Sequence, residues 1–286
     1  MKANMSSLAA HTLFKPQRQV LASEGYELST YVWPQPTEVT KADVLLVHGL
    51  GEHAGRYNHL AYVLQQEGYR VHAYDHYGHG LSDGARGNVL HKNQLVEDLK
   101  RVAESVKKDL PLVMVGHSMG GLVVQRLLSQ YPELASAAVL SSPALAVHTK
   151  LVDKLMLAVI PKWFPHLCVD NQLNTAWLAR DAQVVREYKH DHLVHRKISA
   201  LLGSWIVEQG HEALAQAAQW HTPSLLLYAG QDMLVDPKGS QQFAMAANNH
   251  VLQAHCFNVM YHEIFNDPEK GAVFQKMTDW LNAKFS

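Results

Sequence analysis

Cysteine is scarce in this chain. Only Cys168 and Cys256 occur among 286 residues, and they form no CxxC or other metal-ligand spacing. Neither a disulfide framework nor a cysteine zinc site is implied, and the scarcity points to a reducing compartment. A surplus of one charge is also missing: 25 Lys and Arg against 26 Asp and Glu leave a net charge of -1. With no basic excess to neutralise phosphates, nucleic acid is not an expected partner, and a polybasic membrane anchor is excluded as well. No apolar run approaches the roughly 18 residues of a membrane span. The first twenty residues lack the continuous apolar stretch of a signal peptide. Internal repeats and low-complexity segments are absent. The expectation is a soluble cytoplasmic protein.

Histidine, by contrast, is abundant, with 19 copies. Abundance alone makes no metal site, because ligands must recur at fixed spacing, and no HExxH is present. The nearest cluster is His190, His192 and His195. On a helix the last two would share a face and His190 would point away, so solvated surface histidines are expected, with no metal and no cofactor.

Short apolar runs punctuate the chain. A strand pair is expected from Gln19 to Leu21 and from Tyr26 to Trp33, around a Ser23-Glu24-Gly25 turn. Further runs fall at Val44–Val47, Val71–Tyr74, Leu112–Val115, Ala138–Leu140, Leu225–Tyr228 and Cys256–Val259. Each is too short for a helix and is bounded by turn residues, as buried strands are. Between them, Leu60, Ala61 and Leu64, then Leu95, Leu99 and Val102, then Val273, Met277, Trp280 and Leu281 recur at helical spacing. This alternation predicts an α/β fold, a mostly parallel sheet with helices on both faces. Residues 147 to 219 break the pattern with helical periodicity only, including a helix lined by Leu151, Leu155 and Val159 and another from about Asp181 to Gly203. The expected organisation is a core of residues 1–146 and 220–286, interrupted by an all-helical insertion at 147–219.

One motif carries chemistry. Gly116-His117-Ser118-Met119-Gly120 follows an apolar strand and precedes Leu122 to Leu128, a helical stretch. GxSxG at a strand–turn–helix junction is a nucleophile elbow: a serine on a strained turn, with glycines where a side chain would clash. The helix start beneath it offers unpaired N–H groups and a positive dipole end to a developing oxyanion. A serine hydroxyl needs a base, and the base needs an orienting carboxylate. In this arrangement they follow in the order Ser, Asp or Glu, His, each after a strand. Asp232 follows the apolar run at 225–228 and is expected to be exposed; His262 ends the last run. Asp236 is a rival acid, but Asp236-Pro237 resembles a helix N-cap. His255 is a rival base, expected to precede its strand. The oxyanion donors expected are the backbone amides of Met119 and of Leu50, the latter in the His48-Gly49-Leu50-Gly51 loop after an early strand.

Together HGLGEHAGRY (48–57), YDHYGHGLSDG (74–84), GHSMGG (116–121), LLLYAGQDMLVDPKGS (225–240) and YHEIFND (261–267) resemble the monoacylglycerol lipase and lysophospholipase group of α/β hydrolases, from about residue 20 to the C-terminus. The resemblance implies an eight-stranded α/β-hydrolase sheet with a helical cap. It implies Ser118, Asp232 and His262 as catalytic residues, Leu50 and Met119 at the oxyanion positions, and single-acyl esters such as monoacylglycerols or lysophospholipids as substrates. The cap helix near 151–164, with Trp163 and Phe164 between prolines, would guard an acyl channel and touch membranes or lipid aggregates. Glu52 and Arg56 match polar residues on the glycerol side, although a local ion pair one helical turn apart explains them equally well. Where mammalian members place a histidine in the glycerol pocket, this chain has Phe265. A peptidase, an acyltransferase or a non-catalytic ligand-binding relative could share the same framework. A haloalkane dehalogenase could not, because it needs an acid at position 118.

Overall fold

The structure, a computed structural model, describes residues 15–34, 40–148 and 160–285. An antiparallel hairpin opens it, β1 (Gln17–Ser23) and β2 (Tyr26–Val32), closed by Glu24-Gly25 with Gly25 at φ 90. A two-residue turn of this hand needs φ > 0, which glycine supplies without a steric penalty. Then come β3 (Asp43–Val47), helix α1 (Asn58–Gln66), β4 (Arg70–Tyr74), α2 (Gln94–Val106), β5 (Leu112–His117), α3 (Met119–Gln130) and β6 (Ala137–Ser141).

After β6 the chain leaves the sheet. It forms a helical turn at 160–163, β7 (Cys168–Asp170), α4 (Ala182–His190), β8 (Lys197–Ser199) and α5 (Ala200–Ala215). It re-enters at β9 (Ser224–Ala229), followed by α6 (Pro237–Ala246), β10 (Leu252–Phe257) and α7 (Lys270–Phe285). The eight sheet strands lie in the order β1-β2-β4-β3-β5-β6-β9-β10, and every pairing from β4 to β10 is parallel.

Strand periodicity builds a core on each face. In β3, Leu45 and Val47 point to one side, where they meet Leu99 of α2, Leu122 of α3 and Trp205 of α5. Val44 and Leu46 point to the other and meet Leu60 and Leu64 of α1 and Met277 of α7. Leu60 and Leu64 are fully buried, worth about 1.5–3 kcal/mol each relative to exposure. The two faces thereby hold the sheet rigid, and the loops at the carboxyl ends of its parallel strands, where ligands of open α/β sheets bind, inherit that rigidity.

Three expectations are corrected. The segment 147–219 is not all-helical: β7 pairs antiparallel with β8. Nor does one helix run from 181 to 203. It breaks at Asp191, whose side chain accepts from the Leu193 amide and closes a turn in place of the next helical bond. The last strand is also displaced, covering Leu252–Phe257 rather than 256–259. It is the sheet's edge, so Gln253, Ala254 and His255 are exposed within it and leave no apolar run. The expected helix around Leu151, Leu155 and Val159 lies outside the described residues. No described helix is long and apolar enough to cross a membrane.

Candidate active site

Ser118 sits between the end of β5 and the first turn of α3, at φ 53 and ψ -120. A non-glycine residue here is strained by about 1–3 kcal/mol and persists only because its surroundings leave no alternative. Those surroundings are visible at the flanking glycines. A Cβ on Gly116 would lie 2.6 Å from the Gly120 carbonyl oxygen, and one on Gly120 would lie 2.2 Å from that of Val47. Strand and helix are packed backbone to backbone, and Ser118 rides on the corner.

His262 and Asp232 meet beside it. His262 Nδ1 donates to Asp232 Oδ2 at 2.6 Å. Asp232 Oδ1 accepts from the Leu234 and Val235 amides at 2.9 and 3.0 Å. Asp232 is buried, contrary to the expected exposed acid; the loop after β9 folds back to cap it with those two amides. Burial alone would lower the His262 pKa, but the Asp232 carboxylate outweighs it, and the ring ends above its ordinary 6.5. For Asp232, burial pushes upward, and the His262 ring and two backbone amides prevail in holding its pKa down. Nε2 of His262 is left for the pocket side, the tautomer a general base requires.

The rivals go elsewhere. Asp236 accepts from the Lys238 amide as N-cap of α6. His255 lies exposed within edge strand β10, not before it.

Ser118 and His262 line one pocket with Gly49, Leu50, Met119 and Glu52. It encloses about 580 Å³, its open mouth included, and its other walls are mostly apolar: Ala144, Val147, Leu173, Leu178, Ile206, Leu234 and Val235. Among the described residues, neither the Leu50 nor the Met119 amide has a hydrogen-bond partner. Two free amides on either side of a serine can hold an oxyanion.

Of the three residues expected at the polar end, Glu52 alone reaches this wall. Its Oε1 accepts from the Gly49 amide and the Tyr57 hydroxyl, both at 2.7 Å. Arg56 lies behind it, bonded through Nη1 to Glu52 Oε2 at 2.6 Å, with its guanidinium over the Tyr188 ring. Phe265 is buried against Phe274 and borders a smaller side cavity with Tyr57 and His117.

Two site residues escaped the sequence reading. Glu263, next to His262, lines the pocket and takes both Arg56 nitrogens, Nη1 at 2.7 Å and Nη2 at 2.8 Å. Burial raises the Glu52 pKa, but the guanidinium dominates and holds it at about 2; Glu263 is likewise held below its ordinary value. His117 packs its ring 4.8 Å from that of His262, and burial, then the His262 charge, push its pKa down to about 4. It is therefore neutral beside the His262 ring. Their only local signal was adjacency to Ser118 and His262.

The histidines at 190, 192 and 195 do not converge. His190 Nδ1 bonds the Arg186 carbonyl at the end of α4, and His195 packs against His79.

The match to known proteins now decides the family. The family model described as serine aminopeptidase, S33, covers residues 38–269. The chain belongs to this family. A monoacylglycerol lipase of Mycolicibacterium smegmatis is 34% identical over 87% of this chain and 91% of that protein. An abhydrolase domain-containing protein of Dictyostelium discoideum is 31% identical over 93% of this chain, which spans only 29% of that protein. The crystal structure of a Paleococcus ferrophilus monoacylglycerol lipase superposes with a TM-score of 0.81 at 31% identity, covering 93% of this chain and 98% of that one. This family member has the α/β-hydrolase fold.

Proposed function

We propose that this chain is a serine carboxylic-ester hydrolase acting on monoacylglycerols or similar single-acyl esters. The observation that carries the reading is Ser118 on its strained turn, sharing a largely apolar pocket with a His262–Asp232 pair. The monoacylglycerol lipases among its relatives support the ester as substrate.

The mechanism follows from the atoms. Ser118 Oγ attacks the ester carbonyl while His262 Nε2 takes its proton. Asp232 holds the imidazole in the required tautomer and stabilises the cation. The Leu50 and Met119 amides bind the tetrahedral oxyanion. His262 then protonates the departing alcohol, and water activated by the same ring cleaves the acyl-enzyme. No metal or cofactor enters any step.

The walls sort the substrate. Leu173, Leu178 and Ile206 come from the segment between β6 and β9 and present apolar surface to an acyl chain. We assign residues 147–219 as a cap over a core of 1–146 and 220–286. Trp163 and Phe164, 75% and 65% exposed, give this cap an apolar edge suited to lipid aggregates. A cytoplasmic location fits the two free thiols.

The family's description favours one second reading, an aminopeptidase using the same triad. A rate comparison separates the two. Glycerol monoesters of graded chain length should exceed amino-acid p-nitroanilides in kcat/KM by about 100-fold or more, since the apolar walls favour an acyl chain and bind it in the transition state. Faster cleavage of the anilides would overturn the ester assignment.

The pH profile gives a further prediction. His262 must be neutral to accept a proton, and its pKa is raised above 6.5. Activity should fall as pH drops, along a limb in kcat/KM centred above 6.5. A limb centred below 6.5 would contradict the role given to the Asp232 pair.

A further inference from the structure

The polar end of the pocket has an unbalanced charge. Two carboxylates, Glu52 and Glu263, are on its wall, and a single guanidinium, Arg56, serves both. All three side chains are at most 10% exposed. Among the described residues lining the pocket there is no lysine or arginine. Two arginines of the neighbouring segment are engaged elsewhere, Arg180 with Asp267 and Glu269, Arg196 with Asp170.

Each carboxylate is held in the ionised form by the donors around it. Glu52 receives the Gly49 amide, the Tyr57 hydroxyl and Arg56; Glu263 receives both Arg56 nitrogens and Asn266 Nδ2 at 2.8 Å. Two negative charges against one positive leave one uncompensated negative charge, and Asp232 adds another behind His262. Water screens such charges poorly in a buried site, so a like charge brought into this end is repelled strongly.

We infer that Glu263, together with Glu52, makes the alcohol end of the pocket anionic and so selects esters of uncharged alcohols against those bearing phosphate. This deepens the proposed function and rests on it. A glycerol hydroxyl can donate to the free lone pairs of either carboxylate, whereas a phosphate offers oxygens to oxygens. The substrate class narrows to single-acyl esters of neutral polyols, and phospholipid-type leaving groups are disfavoured by charge rather than by size.

The test uses three soluble esters with one hexanoyl chain: of glycerol, of glycerol 3-phosphate, and of the neutral dimethyl phosphotriester, which keeps the bulk without the charge. In the native protein, kcat/KM for the phosphate should fall at least about tenfold below both neutral esters, the effect of roughly one like-charge contact. In Glu263→Gln, which keeps an oxygen for Arg56 and removes the charge, the gap between phosphate and triester should narrow to about threefold or less. Equal rates for phosphate and triester in the native protein would overturn the inference whether or not the variant folds. An unchanged gap in a folded Glu263→Gln would overturn the role of Glu263. Failure to cleave any of the three would overturn the esterase reading itself, and with it this inference.

Discussion

Ser118→Ala should lower kcat by about 10⁴-fold or more while leaving the protein folded, because the proposed mechanism makes its Oγ the nucleophile and the fold makes no use of that atom. Among the described residues Ser118 Oγ makes no hydrogen bond, while its backbone is held by the Ser118 amide to the Ser141 carbonyl at 2.9 Å and by the Leu122 amide to its own carbonyl at 3.1 Å. Alanine keeps those bonds and the same φ 53 strain, so the unfolding free energy should shift by less than about 1 kcal/mol. Steady-state turnover of a p-nitrophenyl ester and a denaturant titration check the two halves. Lost activity together with lost stability would show only that the turn had collapsed. Retained activity would remove Ser118 from the mechanism.

Arg56→Met should have the largest effect on stability, with a pH dependence that identifies its cause. The change removes the one cation shared by two buried carboxylates. Breaking such a network from one side costs about 3–5 kcal/mol, more than the net worth of the ion pairs, because the charges left behind are unpaired. In the native protein Glu52 is depressed from 4.5 to about 2 and Glu263 is depressed as well. Groups lowered in the folded state stabilise it above their unfolded pKa, and that contribution is lost as pH falls toward 2. In the variant, burial without a cation lifts both carboxylates above their ordinary values, so folding favours their protonated forms. The deficit should be greatest near pH 7 and shrink as the pH is lowered to 4. Urea titrations of both proteins at the two pH values measure it. A deficit below about 1 kcal/mol at pH 7, or one equal at both pH values, would show that the network is not the charged cluster described.

Much of this was legible in the sequence because the chemistry is placed by strands. Ser118, Asp232 and His262 each lie just past a strand's carboxyl end, and β3, β5, β6 and β9 are buried on both faces and read as plain apolar runs. The central sheet and the chain order of these three residues follow from that. What failed was what burial does not mark. Edge strand β10 is half exposed, so the apolar run in the sequence begins four residues after the strand does and leaves His255 outside the run. Strands β7 and β8 are three residues each, too short for periodicity to register. Asp232 was expected in solvent because nothing in its neighbours announces a loop folding back over it. Glu263 was invisible for a different reason. Its meaning depends on Arg56, 207 residues earlier, and no local pattern encodes a partner so distant. The same holds for His53 Nε2, which meets Asp191 Oδ2 across 138 residues at 2.8 Å and ties the loop carrying Leu50 to the segment between β6 and β9. Glu52 and Arg56 stand one helical turn apart in the chain, and folding makes them two of the three members of a buried charged cluster.

The central claim is that Ser118 is a nucleophile activated within this pocket. Treatment of the native protein with a fluorophosphonate, followed by mass analysis of its peptides, tests it directly. A single adduct on the peptide bearing Ser118, abolished in Ser118→Ala and slowed as pH falls and His262 becomes protonated, is the predicted result. No adduct, or an adduct on a different serine with Ser118 unmodified, would contradict it and leave the pocket a binding site rather than a catalytic one.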